Sequence, residues 1–212
     1  MADPASPLAL TEWVLSAGTT LHRVHLGRYG ATQFNPGIQG NARFSPIHND
    51  RGEPVPTLYA GATLACALME TVFHDVPFAP GFRSLDRQKL EAQMHATLRV
   101  QQDLTLIDLS SIALRRLGIS RKQLIDTEKE AYPTTRRWAE AIHQQSRTAQ
   151  GLSWVSRQDD SARAFMLFGD RIGARSLKPL GHSTPLLDDG ENQDAVLALA
   201  ERIGVCIVSG MG

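Results

Sequence analysis

The chain has 212 residues, 42% of them hydrophobic, enough for one substantial core, so a single domain is the default reading. Lysine plus arginine total 22, as do aspartate plus glutamate, so the net charge is zero and composition gives no support for bulk electrostatic binding to nucleic acid or a membrane surface. No apolar run approaches the ~20 residues that span a bilayer, and Met1 to Leu10 lacks the basic stretch and apolar core of a secretory signal.

Two cysteines, Cys66 and Cys206, give no disulfide framework. Both fall in apolar segments and read as buried thiols, which suits a reducing cytoplasm.

In chain order, Thr20 to Leu26 reads as a strand with Leu21, Arg23 and His25 on one face and Val24 on the other. Gly27 to Gly40 is rich in Gly, Asn and Pro and reads as a loop. Asn41 to Ser45 is short and extended, and Asn49 to Gly52 is a turn. Thr57 to Ala60 is a short strand with Tyr59 opposite Leu58. Thr63 is a good N-cap for a helix from Leu64 to about His74, with Leu64, Ala67, Leu68, Thr71 and Val72 at the helical period and Glu70 at the edge of that stripe.

Ala92 to Val100 alternates apolar and polar residues and is the clearest strand. Leu104 to Leu109 is another. A helix over Ile112 to Leu117 ends at Gly118, and Ser120 to Gln123 fits a capping box. Thr135 to Gln150 reads as a helix. Leu152, Trp154 and Ser156 share one face of the next strand, and Ala164 to Phe168 is a buried strand. Asp194 to Ile203 is a helix, followed by a strand over Val205 to Val208. Strands, central helices, then strands again indicate a mixed α/β or α+β domain.

Five polar residues interrupt apolar patterns: Arg23, Arg43, Tyr59, Glu70 and Ser156. Taken singly, each has an ordinary structural explanation. Arg23 can snorkel at a sheet edge, Arg43 can lie on the surface, and Tyr59 can pack in the core with its hydroxyl satisfied. Glu70 can pair with His74 at i, i+4, and Ser156 can bond to backbone at a strand end. Together they supply two guanidinium forks suited to phosphate or carboxylate, an aromatic face and a carboxylate. That set suits an anionic nucleotide at which positive charge develops during reaction.

Other chemistries fare worse. His22-x-x-His25 on a strand points its two side chains to opposite faces. No cysteine pair or His-Glu-x-x-His suggests zinc, and neither a Gly-x-Gly-x-x-Gly nor a Walker-type loop is present. Ser153 or Ser156 with a histidine lacks the nucleophile elbow of a hydrolase.

The ordered series Leu21-His22-Arg23-Val24, Ala42-Arg43-Phe44, Leu58-Tyr59-Ala60 through Glu70, and Gly151 to Arg157 resembles the RES domain, named for its Arg, Glu and Ser. The resemblance runs from about Leu21 to Val208, within one domain over 1–212 whose core is about 20–208 behind a short N-terminal extension. The family strand often carries Tyr where this chain has Trp154, and Ser153 competes with Ser156 for the family serine.

The resemblance implies an α+β fold with a split mixed β-sheet and flanking helices, similar to ADP-ribosyltransferase toxins. It implies NAD⁺ as substrate, with no metal expected. Glu70, Arg23 and Ser156 would be catalytic, and Arg23, Arg43, Tyr59 and Ser156 would bind NAD⁺. It also implies a cytoplasmic toxin with a cognate Xre-like helix-turn-helix antitoxin and no direct contact with nucleic acid or membrane. The acceptor of ADP-ribose is a protein, phosphate or water, and the long section from Asp103 to Gln150 is a candidate acceptor-docking surface. A non-catalytic nucleotide-binding or antitoxin-docking module is the rival reading; it would not need Glu70.

Overall fold

Periodicity along the chain becomes eleven short strands and six helices in a computed structural model that describes residues 3–77, 80–187 and 190–210. In chain order the first half runs β1 (Glu12–Leu15), β2 (Thr20–Leu26), β3 (Thr57–Gly61), α1 (Leu64–Met69), β4 (Ser84–Asp86), α2 (Gln88–Glu91), β5 (Gln93–Val100) and β6 (Leu104–Asp108). The second half runs α3 (Ser111–Leu117), α4 (Arg121–Leu124), α5 (Tyr132–Gln145), β7 (Gly151–Val155), β8 (Arg163–Phe168), β9 (Leu177–Pro179), β10 (Thr184–Pro185), α6 (Gly190–Arg202) and β11 (Cys206–Val208).

The main sheet has the order β1-β6-β7-β8-β3-β2-β5-β10, with β9 also on β5. It is mixed: β6 and β7 run parallel and the other pairs are antiparallel. β4 and β11 form a separate parallel pair. With its flanking helices this is an α+β fold, as the sequence indicates.

The sheet is split in its middle. β2 is in register with β5 from Thr20 to Leu26, and β3 with β8 from Thr57 to Gly61. Between β2 and β3, however, only His22 and Gly61 are paired. Beyond that point β2 peels away, and Asn35 of the 27–40 loop takes its place. Asn35 exchanges both backbone hydrogen bonds with Thr57, at 2.8 and 2.9 Å. The loop therefore satisfies the β3 groups that the split exposes, as buried backbone requires.

Apolar residues form three clusters around this frame. One packs Leu152, Trp154, Ala164, Met166 and Phe168 against Trp138 and Ile142 of α5. A second joins Val24 to α1 and α6 through Leu68, Val196 and Leu199. The third holds Leu21, Leu58, Ala60, Leu98 and Leu167 on the other face of the sheet.

Local signals behave as their chemistry dictates. Thr63 Oγ1 accepts the Cys66 N–H at 3.0 Å and caps α1. Gly118 ends α3 with φ of 72°, a conformation glycine adopts without strain. Gln123 Oε1 accepts from the Ser120 N–H, the returning arm of the capping box.

Several expectations need correction. α1 stops at Met69, not near His74, and Glu70 is its C-cap. Val72 and Phe73 prolong the apolar pattern because they are buried in a turn whose N–H groups return to Leu68 O. α5 starts at Tyr132 and ends at Gln145, because Gln150 is used in the sheet, accepting from Phe168 N and donating to Thr105 O. Cys66 is buried but Cys206 is exposed. Residues 12–15, ahead of the expected core, form β1 at the sheet edge.

The wetter face of β5 is not simply solvated. His95 stacks on His22 with ring centroids 5.2 Å apart, Nε2 of His95 lies 3.0 Å from Nδ1 of His22, and Nδ1 of His95 lies 2.9 Å from Asn192 Oδ1 of α6. Burial, reinforced by His95, pushes the His22 pKa below its ordinary 6.5, and burial does the same to His25. The unfolded chain therefore binds more protons than the folded one as pH falls below 6.5, so stability should decrease in that direction. The melting temperature should drop between about pH 7 and about pH 5, with a shallower drop in His22→Phe. An equal drop in the variant would remove the His22–His95 pair as the cause.

Candidate active site

The split opens a cleft of about 360 Å³. Its walls are the second half of β2, the start of β3, the 41–43 segment, the turn after α1 and the N-terminus of α5. Arg23, Arg43, Tyr59 and Glu70, far apart in sequence, all line it.

Glu70 owes its position to the end of α1. Its N–H still donates to Cys66 O, so the residue is fixed while its side chain leaves the helix. Glu70 Oε1 accepts a 2.6 Å hydrogen bond from Ser156 Oγ, and Oε2 lies 3.6 Å from Arg43 Nη1. Ser156, fully buried just beyond β7, also accepts from the N–H groups of Gln158 and Asp159, both at 3.0 Å. These two donors leave its own proton for Glu70. The alternative Glu70–His74 pairing is not made; His74 bonds instead to Asp75 and Tyr132.

Ser153 lies elsewhere. Its Oγ accepts from Arg163 Nη1 at 2.8 Å, and that guanidinium is also held by Asp108. Alternation along β7 turns Ser153 away from the face that carries Leu152 and Trp154. Of the two serines, Ser156 is the one joined to Glu70.

The two arginines are 6% and 4% exposed. Arg23 donates through Nη1 to the carbonyls of Gly30 and Ala31, at 3.3 and 2.6 Å, and has no ion pair among the described residues. Burial lowers its pKa to about 10, which leaves it cationic at neutral pH. Arg43 is positioned from α5: the Thr135 hydroxyl donates to the Arg43 carbonyl, and Arg136 Nη1 bonds Asn41 Oδ1 at 2.8 Å. Its guanidinium lies over the Tyr132 ring, 5.9 Å from the centroid. Its Nε and Nη2 are buried without a hydrogen-bond partner.

Tyr59 donates to Ser45 Oγ at 3.3 Å and meets Trp154 edge-on. Burial pushes its phenol up to about 12, so it stays neutral. Trp154 also lines the cleft, and its Nε1 is a further buried donor without a partner. Three orphaned donor atoms thus sit on Arg43 and Trp154, in a cleft that also holds a second buried cation, Arg23, and the carboxylates of Glu70 and, at its mouth, Asp75. Buried donors in a native fold almost always have acceptors. The arrangement fits a ligand that brings acceptor oxygens and negative charge.

Sequence reasoning missed the mouth of this cleft. His74 Nε2 lies 3.0 Å from the Tyr132 hydroxyl, His74 Nδ1 lies 3.0 Å from Asp75 Oδ1, and Lys129 Nζ bonds Asp75 Oδ2 at 2.7 Å. Burial acts to raise the Asp75 pKa, but the hydrogen bonds from Lys129 and His74 outweigh it and hold the carboxyl below its usual range. No local pattern marks Tyr132 or Lys129; the start of α5 and the 3-10 turn Lys129–Ala131 just before it bring them here. Among the described residues, no group of three or more His, Cys, Asp or Glu is placed to hold a metal ion.

A split mixed sheet with an anion-seeking cleft, in which one carboxylate is held between a serine and an arginine, defines the class of domain. The RES domain family model matches residues 20–189, most of the chain, and the chain belongs to that family. The family carries a toxin-like, NAD-related function. No curated protein matches the chain. Among the described residues, no helix is long and apolar enough to cross a membrane.

Proposed function

We propose that this protein is the toxin of a toxin–antitoxin pair, a mono-ADP-ribosyltransferase that cleaves the nicotinamide–ribose bond of NAD⁺ and passes ADP-ribose to a protein acceptor. Glycohydrolysis or phosphorolysis of NAD⁺ is the alternative outcome of the same bond cleavage. The observation that carries the reading is the pair of buried guanidiniums, with Arg43 Nε and Nη2 unpartnered, beside Glu70.

In this reading Arg23 and Arg43 clamp the pyrophosphate or neighbouring ribose oxygens. Tyr59 frames the nicotinamide ring. As the C–N bond opens, its electron pair leaves with nicotinamide and positive charge grows on the ribose. The Glu70 carboxylate stabilises that charge, by the electrostatic logic of glycoside cleavage. Ser156 does not line the cleft; its proton goes to Glu70 and its oxygen accepts from Gln158 and Asp159, so it acts on NAD⁺ only by holding Glu70 in place. The acceptor then closes the bond to the anomeric carbon.

A toxin that consumes NAD⁺ in its own cytoplasm needs a restraint. The family resemblance supports an Xre-like helix-turn-helix antitoxin that blocks this cleft and carries any DNA contact. The test is nicotinamide release from NAD⁺ by the purified protein, with and without cell lysate. Release is expected, and labelled NAD⁺ should mark a lysate protein. Release without any labelled protein would favour water or phosphate as acceptor. Binding of NAD⁺ without release would leave a nucleotide-binding module.

A further inference from the structure

The cleft does not end at its mouth. A second cavity of about 470 Å³ adjoins it, and the two share His74, Asp75, Lys129 and Tyr132 as a common wall. The far side of the second cavity is formed by Val76, Pro77, Glu128, Glu130 and Arg157. We propose that this cavity seats the acceptor: an O–H or N–H side chain of a polypeptide, presented to the cleft across the Asp75–Lys129 pair. The inference rests on the NAD⁺ and protein-acceptor reading of the cleft, and adds the site at which that acceptor is seated.

Size, charge and exposure favour a side chain over the other two acceptors. A water molecule takes about 30 Å³ of liquid volume, so the cavity is far larger than water needs. Inorganic phosphate wants cations that it can engage, and those present are already held. Arg157 donates to the Thr127 carbonyl and to Glu128, and Lys129 is bonded to Asp75. Counting Asp75, Glu128 and Glu130 against Lys129 and Arg157 leaves the wall one charge negative, with histidine neutral. A phosphate dianion is repelled by that wall; a neutral or basic side chain is not. Val76 and Pro77 add an apolar patch for the stem of such a side chain.

The Asp75–Lys129 pair is half exposed on both sides, so it holds the wall only weakly and can yield to an entering group. His74 and Tyr132 keep the backbone segments on either side of it in place. The transfer balances without a further reagent. The acceptor's lone pair forms the bond to the anomeric carbon of ribose, the C–N pair departs with nicotinamide, and the acceptor's proton goes to solvent through the open side of the cavity.

Two variants test the cavity without touching the cleft. Val76→Trp fills it, and Glu130→Arg reverses charge at an exposed position of the one-turn 3-10 helix Lys129–Ala131. With labelled NAD⁺ and lysate, protein labelling should fall on the order of tenfold or more in each, as misplacement of a reacting group does. NAD⁺ affinity, read from the thermal shift that NAD⁺ induces, should stay at the wild-type value.

Labelling at wild-type level in both variants would overturn the proposal. So would loss of NAD⁺ affinity along with labelling, because the cavity would then belong to the nucleotide site. Inorganic phosphate alone restoring full nicotinamide release, with Val76→Trp blocking it, would replace the polypeptide by phosphate. If wild type neither releases nicotinamide nor binds NAD⁺, the reading of the cleft itself fails, and this proposal falls with it.

Discussion

Replacing Glu70 by glutamine should lower nicotinamide release from NAD⁺ by roughly 10²–10³, the usual cost of losing one preorganised electrostatic group. The substitution is nearly isosteric. Its amide oxygen can still accept the Ser156 proton that Glu70 Oε1 takes at 2.6 Å, so the turn after α1 should keep its shape. What disappears is the full negative charge facing the developing positive charge on ribose. Because that charge is present only as the bond breaks, the loss should fall on kcat, with KM changed little. The apoprotein gives a second reason to expect an intact fold: Arg43 lies 3.6 Å from Glu70 Oε2, a loose contact that glutamine weakens without creating a steric clash. Steady-state kinetics by nicotinamide release, beside a thermal melt, checks both parts. A variant with wild-type kcat would remove Glu70 from the chemistry, and a variant that loses KM alone would make it a binding group.

How far the sequence carries this site depends on the range of the interaction involved. β5 is legible because its two faces alternate over the whole strand, and the N-cap of α1 is legible because Thr63 acts on a group three residues away. The end of α1 is not. Val72 and Phe73 are buried whether the chain continues as helix or turns, so apolar periodicity cannot tell the two apart. β1 and β4 are short and are fixed only by partners distant in the chain, β6 and β11.

The site divides in the same way. Arg23, Arg43, Tyr59 and Glu70 stand out as polar interruptions of apolar segments, and all four line one cleft. The choice between Ser153 and Ser156 needs the sheet, because both are buried and only the direction of β7 decides which reaches Glu70. The split between β2 and β3 is invisible in either strand alone. It arises because Asn35, in an irregular loop, takes over the hydrogen bonds of Thr57.

Replacing Arg43 by methionine should raise the Kd for NAD⁺ by about 10² or more, since each hydrogen bond to a charged group contributes roughly 1.5–3 kcal/mol and two unpartnered N–H groups are available. The effect on the apoprotein should be much smaller, because two contributions oppose each other. Methionine removes a buried cation whose Nε and Nη2 have no acceptor, which relieves a desolvation cost. It also strips Glu70 of its only cationic neighbour within ion-pair distance among the described residues, which restores a cost of similar kind. Thr135 and Arg136 hold the 41–43 segment through the Arg43 carbonyl and the Asn41 side chain, so they continue to do so in the variant.

The melting temperature without ligand should therefore shift little, while the stabilisation that NAD⁺ gives by mass action should nearly vanish. Arg43→Lys is the sharper control. It keeps the charge but not the fork, and it should recover only part of the affinity. Full recovery by lysine would mean that Arg43 acts as a point charge. Unchanged NAD⁺ stabilisation in Arg43→Met would mean that its orphaned donors face something other than the nucleotide.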